Sequence, residues 1–477
     1  MFNLITPLII NIGIILFAQS YEIVIMSTLF ITGFNFINSI LYWLNMESVW
    51  YLFQHLSYHH LLGVDTLAAS FNTLTNLTIV ISVLSILKDP AMKPKGEITR
   101  VKELLILILM LNIFLILTFS SLNILMFFIA FEATLIPMYL LIGIYGSRKE
   151  KTSAANYLLI FTLIGSLILI VCLISLISLT GTYYYPLIMM VELKEEYQHY
   201  IWIGFMIGFM VKVPTYLFHI WLPKAHVESP LIGSIILAAI LLKLGTFGIM
   251  RFSIVLLPLA SQYYLPIVFV LNILGIIYSS FSTIRQVDLK RIVAYSSISH
   301  MALTTLGLFT KNEETLQGAW FLMVSHAFTS GGLFIIVNMI YSRWKTKNIK
   351  YYTGLVQVIP LIIVLFFIFS LGNLGMPLTA NFVGEFLILL GLVKTNLIMG
   401  ISSSICIVLA AIYSLYFFIR ISYGKVNDNL TKSQDITYWE WNVIAPFILS
   451  LLLLGLFPNL ILITVWQNID FITLSYI

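Results

Sequence analysis

A chain of 477 residues that is 60% hydrophobic and only 9% charged, with a mean hydropathy of +1.01, cannot cover a water-facing surface, since soluble domains carry about 25% charged residues. Its apolar residues fall in continuous runs of roughly 17 to 25, the length of a bilayer-crossing helix. That continuity excludes the alternating pattern of a β-barrel and predicts an all-α polytopic membrane protein. Two cysteines, Cys172 and Cys406, both within apolar runs, exclude a disulfide framework, an iron–sulfur cluster or a zinc site.

In chain order the runs predict about fourteen spans, centred near residues 10, 33, 77, 112, 132, 167, 211, 240, 273, 299, 328, 366, 409 and 453. The first run, Met1–Phe17, has no basic leader and no small-residue cleavage site, so it is read as a span rather than a signal peptide. Every loop is short, which makes residues 1–477 a single membrane domain. Spans one to three occupy 1–99, spans four to eight 100–251, spans nine to thirteen 262–425, and the last span 436–477.

The 25 Lys and Arg residues test that count. Nineteen fall after odd-numbered spans, among them Lys88, Lys93, Lys95, Arg148, Lys224, Arg285, Lys290, Arg343, Lys347 and Lys432. Four, Lys194, Arg251, Lys311 and Lys394, fall after even-numbered spans, and Lys212 and Lys243 lie within spans. Such asymmetry is what the positive-inside rule produces, and a missed span would scramble it. Both termini are therefore expected on the outer side, with the basic loops facing cytoplasm or matrix.

An ionised group near mid-membrane costs at least ~2.5–3.5 kcal/mol, so each one needs a reason. Six groups stand out: Glu132, Lys212, Lys243 and Glu385, with His300 and His326. Plainer readings exist. Glu132 and Lys212 would make a structural ion pair, Lys243 would snorkel to an interface, and each histidine would be a satisfied core residue. Two acids, two lysines and two imidazoles on six spans suit a proton relay better, because these groups bind and release protons at modest cost when buried.

Helix breakers add to this. Lys212 is followed by Pro214 and Pro223, and Glu385 itself follows Gly372, Gly375 and Pro377, so spans seven and twelve are expected to be interrupted beside their charges. Five spans apart, they cross in opposite directions. That predicts two inverted five-helix repeats, spans 4–8 and 9–13, with the working site at the interruptions.

The stretches YLFHIWLPKAHVESPLIGSIILAAILLKLGTFGIMR (216–251), KRIVAYSSISHMALTTLG (290–307), SHAFTSGGLFIIVN (325–338) and LGNLGMPLTANFVGEF (371–386) resemble the antiporter-like membrane subunits of respiratory NADH:ubiquinone oxidoreductase (complex I). The resemblance runs from about residue 100 to 425. It implies that Glu132 pairs with Lys212, that Lys243 sits at the centre of a proton path, and that His300 and His326 link its halves. Glu385 stands where most sister subunits carry a lysine. His219 and His226 match a family motif as proton-delivery or structural residues. The resemblance further implies that this chain binds no cofactor, with NADH, FMN, iron–sulfur clusters and ubiquinone on partner subunits. The implied partners are other complex I membrane subunits, especially sister chains 2 and 5, and membrane lipids, with no nucleic acid. The implied location is the mitochondrial inner membrane, basic loops on the matrix side. Three rivals remain at this point: a stand-alone Mrp-type cation/proton antiporter, a haem-bearing membrane cytochrome, and a scaffold whose charges only pair helices.

Overall fold

In a computed structural model, residues 2–45, 61–87, 98–427, 430 and 433–474 are described. They form helices α1 (Phe2–Phe17), α2 (Tyr21–Leu44), α3 (Thr66–Ile86), α4 (Ile98–Ser120), α5 (Ile124–Tyr145), α6 (Lys151–Thr180), α7 (Glu195–Lys212), α8 (Trp221–Glu228) and α9 (Leu231–Ile254). These are followed by α10 (Leu265–Arg285), α11 (Leu289–Phe309), α12 (Glu313–Trp344), α13 (Pro360–Leu374), α14 (Ala380–Thr395), α15 (Leu397–Ser422), α16 (Tyr438–Leu456) and α17 (Asn459–Leu474). In hydrocarbon each backbone polar group must be satisfied within the protein, and helix ends are the weak points. Side chains close several of them: Asp65 accepts from Ala68 N at 2.8 Å to start α3, and Thr437 with Glu440 forms a capping box on α16.

Among the described residues, eleven helices are long and apolar enough to cross a membrane. The three predicted spans outside that set are the first, whose helix α1 has 16 residues, and spans seven and twelve, which are each divided in two. Span seven stops at Lys212 and resumes at Trp221, and span twelve stops at Leu374 and resumes at Ala380. Leu217 (φ 84°) and Leu378 (φ 76°) lie in these breaks in the left-handed region, which no helix interior tolerates. Pro214 and Pro377 fall inside the breaks. Pro223 does not: it occupies the first turn of α8, where its missing N–H is no loss, so it does not interrupt the span as expected.

The bundle is layered by burial. The apolar windows of α9 and α12 are wholly buried, and those of α11 and α3 are 94% and 83% buried. α2, α6, α10, α15 and α16 turn most of their apolar surface outward. Lys243, His300 and His326 therefore ride on the three innermost helices. Gly384 allows α14 to lie backbone to backbone on α12, because a Cβ there would sit 2.8 Å from Leu322 N. That close approach carries the adjacent Glu385 inward.

The charge count needs one amendment. Lys290 and Lys347, expected as solvated loop cations, are each only 3% exposed, and Arg251 is 7% exposed. Arg251 meets Asp65 at 2.7 Å, tying α9 to the start of α3. Lys88, Lys93, Lys95 and Lys432 lie outside the described residues.

Candidate functional site

Four of the six predicted ionisable groups come together in mid-bundle, and their positions follow from the local backbone. In α9, Lys243 sits between two π-helical stretches, Leu237–Leu241 and Ile249–Ile254. A wide turn leaves carbonyls short of their usual partners. Lys243 Nζ donates to one of them, Ala238 O, five residues back. Lys243 Nζ also lies 3.0 Å from His326 Nδ1 on α12; when the lysine is protonated, that nitrogen accepts and the His326 hydrogen sits on Nε2. The His326 and His300 rings stand 5.5 Å apart, centroid to centroid.

His300 on α11 then meets Glu385 on α14, with Nδ1 3.0 Å from Oε1. Its other nitrogen faces the Asn373 side-chain oxygen at 3.1 Å and the Tyr413 hydroxyl at 3.2 Å, and that hydroxyl continues to Ser299 Oγ at 3.2 Å. The Asn373 oxygen only accepts, so Nε2 carries a hydrogen. The Nδ1–Oε1 contact is close but not aligned as a hydrogen bond. Glu385 Oε2 rests against Gly375, at φ 75° in the span-twelve break, in space that a Cβ would occupy. Lys243, His326, His300 and Glu385 are all 2% exposed or less.

The other two groups stand apart from these four, within electrostatic reach of one another but not in ion contact. Lys212 is 3% exposed with its Nζ 4.3 Å from the Phe131 ring centroid. Neither that nitrogen nor either enclosed oxygen of Glu132 has a hydrogen-bond partner, and no ion contact within 4 Å joins them among the described residues. The pair is open in this structure. Glu132 lies between the outward-facing Ile129 and Ile136 on one stripe of α5, while Lys212 ends α7 at the break.

The two motif histidines separate. His219 lies in the break among Tyr216, Tyr278 and Tyr295, with ring centroids 5.1 to 6.4 Å away. His226, wholly buried on α8, stacks on Phe334 at 4.5 Å and has no partner for either ring nitrogen. It lies within electrostatic reach of Lys290 and Lys243.

Sequence reasoning missed the groups below His226. Lys290 Nζ donates to Ser229 O at 2.8 Å and to Ser234 Oγ at 3.2 Å. Lys347 Nζ donates to Val227 O and to Ser147 Oγ. Glu228 faces Arg148 at 3.9 Å, and Arg148 also faces Asp288 at 3.7 Å. Burial holds the Lys347 ammonium down at about 8, while Glu228 draws it back up. Glu228 was legible within KAHVESP, and Asn373 within LGNLG. Tyr413 had no signal, because one more tyrosine in an apolar span says nothing about what it faces.

Comparison with known proteins matches residues 121–410 to the family described as NADH:quinone oxidoreductase/Mrp antiporter, TM. The chain is 39% identical to NADH-ubiquinone oxidoreductase chain 4 of Chondrus crispus, over 90% of this chain and 88% of that one. With the chain 4 protein of Metridium senile it shares 43% identity over 78% of this chain and 75% of that one. A chain in respiratory complex I from Thermus thermophilus with bound NADH superposes with a TM-score of 0.87 at 25% identity, covering 99% of both chains. A chain in the aureothin-bound form of that complex, 18% identical over 96% and 98% of the two chains, shares the fold with a TM-score of 0.78.

Proposed function

This chain belongs to the NADH:quinone oxidoreductase/Mrp antiporter membrane family, as an antiporter-like chain 4 subunit of the complex I membrane arm, and from that premise we propose that it moves protons through Lys243, His326, His300 and Glu385. The observation that carries the reading is the fully buried contact of His300 Nδ1 with Glu385 Oε1 at 3.0 Å. A protonated Lys243 passes its hydrogen to His326 Nδ1. The proton at the His300–Glu385 contact leaves first, from the carboxyl, which bares His300 Nδ1 while Nε2 keeps its hydrogen, and Nδ1 then takes the Nε2 hydrogen of His326 across the 5.5 Å ring separation. Each transfer breaks one N–H or O–H bond as the next forms. Tyr413 and Asn373 hold His300 in the tautomer that leaves Nδ1 facing the acid.

Entry runs through His226 rather than His219. Full burial, two unpartnered ring nitrogens and a place between Lys290 and Lys243 support it as the delivery residue. Glu132 and Lys212 form the switch: open here, they close when a neighbouring subunit repacks against α5. The exposed Ile129 (61%) and Ile136 (64%) on either side of Glu132 support such a contact, since they give a neighbour an apolar face to pack on.

We further infer fourteen crossings. α1, the α7–α8 pair and the α13–α14 pair complete the eleven long helices, and the two broken elements mark inverted repeats of spans 4–8 and 9–13. The basic-loop asymmetry supports a matrix-facing side in the mitochondrial inner membrane. Sister chains 2 and 5 are the neighbours in this reading, and NADH, flavin, iron–sulfur clusters and ubiquinone belong to other subunits.

The test is Glu385→Gln in the assembled complex, reconstituted in vesicles. Glutamine keeps the shape but neither shares nor releases a proton. Fewer protons translocated per NADH oxidised are expected, with the complex intact. A wild-type ratio would remove Glu385 from the path.

A further inference from the structure

Beside His300, about one helical turn toward Lys290, a small interior cavity lies between α11, α13 and α15. Its polar lining is Ser296, Ser370, Asn373, Tyr413 and Ser414, each 6% exposed or less, and the rest of its wall is apolar. It leaves about 10 Å³ for the centre of a water molecule. That is close to the least space that holds one water, and such a site also needs about two to four polar partners.

The bonds already made fix where the hydrogens lie. Ser296, Ser370 and Ser414 donate to Val293 O, Phe367 O and Ala410 O on their own helices, at 2.6 to 2.8 Å. Their oxygens therefore meet the cavity as acceptors. Ser299 donates to Ser296 O at 2.8 Å, so in its 3.2 Å contact with Tyr413 the phenol donates and Ser299 Oγ accepts. The Tyr413 oxygen is thereby left to accept from His300 Nε2, as Asn373 Oδ1 also does. The remaining donor in the lining is Asn373 Nδ2, which no hydrogen bond uses among the described residues. One amide donor facing several hydroxyl oxygens suits a water, which accepts from Asn373 Nδ2 and donates to two of the oxygens. No carboxylate lines the cavity, so a bare cation would find no counter-charge there.

We propose that this cavity binds one water, which holds the Asn373 amide with its oxygen on His300 and so keeps the His300 hydrogen on Nε2. The two ends of an asparagine amide are nearly the same shape, so only hydrogen bonds choose between its orientations. Turned over, Asn373 would set its NH2 against the Nε2 hydrogen and its oxygen among acceptors, leaving the water nothing to accept from. The water thus selects one orientation of two. Ser370, Ser296 and Ser414 act through it as positioning residues. The consequence rests on the proton path proposed above: Nδ1 stays the nitrogen that trades protons with Glu385 and His326.

The test begins with the wild-type complex, which needs no variant to fold. A cryo-EM map sharp enough to show buried waters should have density for one in this cavity, and such a map without it would overturn the proposal. Two substitutions at one position then separate the water from the hydroxyl. Ser370→Ala deletes the hydroxyl but leaves the space and two seryl oxygens, so the water stays. Ser370→Thr keeps a hydroxyl but adds a methyl to a cavity with room for one water, so the water is displaced. In vesicles the threonine variant should lose this subunit's share of the protons translocated per NADH oxidised, and the alanine variant should keep it. A hydroxyl needed for its own sake gives the opposite order, and that order, or equal translocation after the threonine variant has lost the density, would overturn the lock. Failure of the path itself reads differently: Glu385→Gln would then translocate at the wild-type ratio, with the water's density unaffected.

Discussion

Gly375→Ala offers a test of the His300–Glu385 contact that leaves every ionisable group in place. Gly375 has φ 75°, and a methyl there falls on Glu385 Oε2. The backbone alone costs about 1–2 kcal/mol for an L-residue in that region. The collision adds a specific effect, because the carboxylate has to swing away from the break. If Oε1 retreats from its 3.0 Å contact to about 5 Å, the pair interaction at an effective dielectric of about 20 falls from about 5.5 to about 3.3 kcal/mol. The contact is thus weakened by about 2 kcal/mol. Gly181→Ala is the matched control, with φ 69° and nothing within 4 Å of the added methyl, so it carries the strain without the collision. Both complexes are reconstituted and assayed for thermal stability and for protons translocated per NADH oxidised. Both should lose the stability of the backbone strain, Gly375→Ala up to about 2 kcal/mol more from the weakened pair, and only Gly375→Ala should lose translocation. Equal translocation in the two variants would refute the reasoning.

Breaking the Arg251–Asp65 pair by Arg251→Met should cost about 3–5 kcal/mol, since Asp65 is left as a nearly buried lone charge. Thermal release of this subunit from the complex is the measurement, and adding Asp65→Asn, which keeps the α3 cap, should recover much of the loss. Lys347 gives a pH signature. Its folded value, about 8, lies below the ordinary 10.5, so the fold is penalised for the charge below about pH 8, and the penalty fades as pH rises toward 10.5. Glu228, Arg148, Asp288 and Glu150 set that environment. Relative to Lys347→Met, the wild-type complex should therefore gain stability between pH 7 and pH 9, and parallel melting curves at both values would contradict this.

Which helices exist, and which carry misplaced charge, was legible because burial in lipid makes each mid-span ionisable group costly and hence conspicuous. Lys243, His300, His326 and Glu385 were found on that ground alone, and the structure brings them within contact. Lys290 and Lys347 escaped for the converse reason. A lysine beside a turn looks solvated in sequence, and only folding shows that the 227–234 segment closes over both. The Glu132–Lys212 expectation named residues, not a distance. Both lie on neighbouring helices, but whether they touch depends on side-chain rotamers and on packing outside the chain. Pro223 misled because proline breaks a helix interior yet suits a first turn, and the register of the restart at Trp221 is set by tertiary packing.

Lys243, His300 and His326 each stand near the middle of their own helix, at positions 13 of 24, 12 of 21 and 14 of 32. If these helices cross the bilayer symmetrically about its midplane, the line joining the three groups lies near that plane. A unit charge crossing the full membrane potential exchanges about 2.3 kcal/mol per 100 mV with the field, but one moving sideways at constant depth exchanges almost none. On the proposed path the lateral steps would be nearly silent electrically, and voltage would act on the vertical legs, the climb past Lys290 and His226 and the departure from Glu385. A proton can shuttle among the central groups at a rate indifferent to the load on the membrane. Back-pressure from an energised membrane is felt at the two ends, where a gate can hold it.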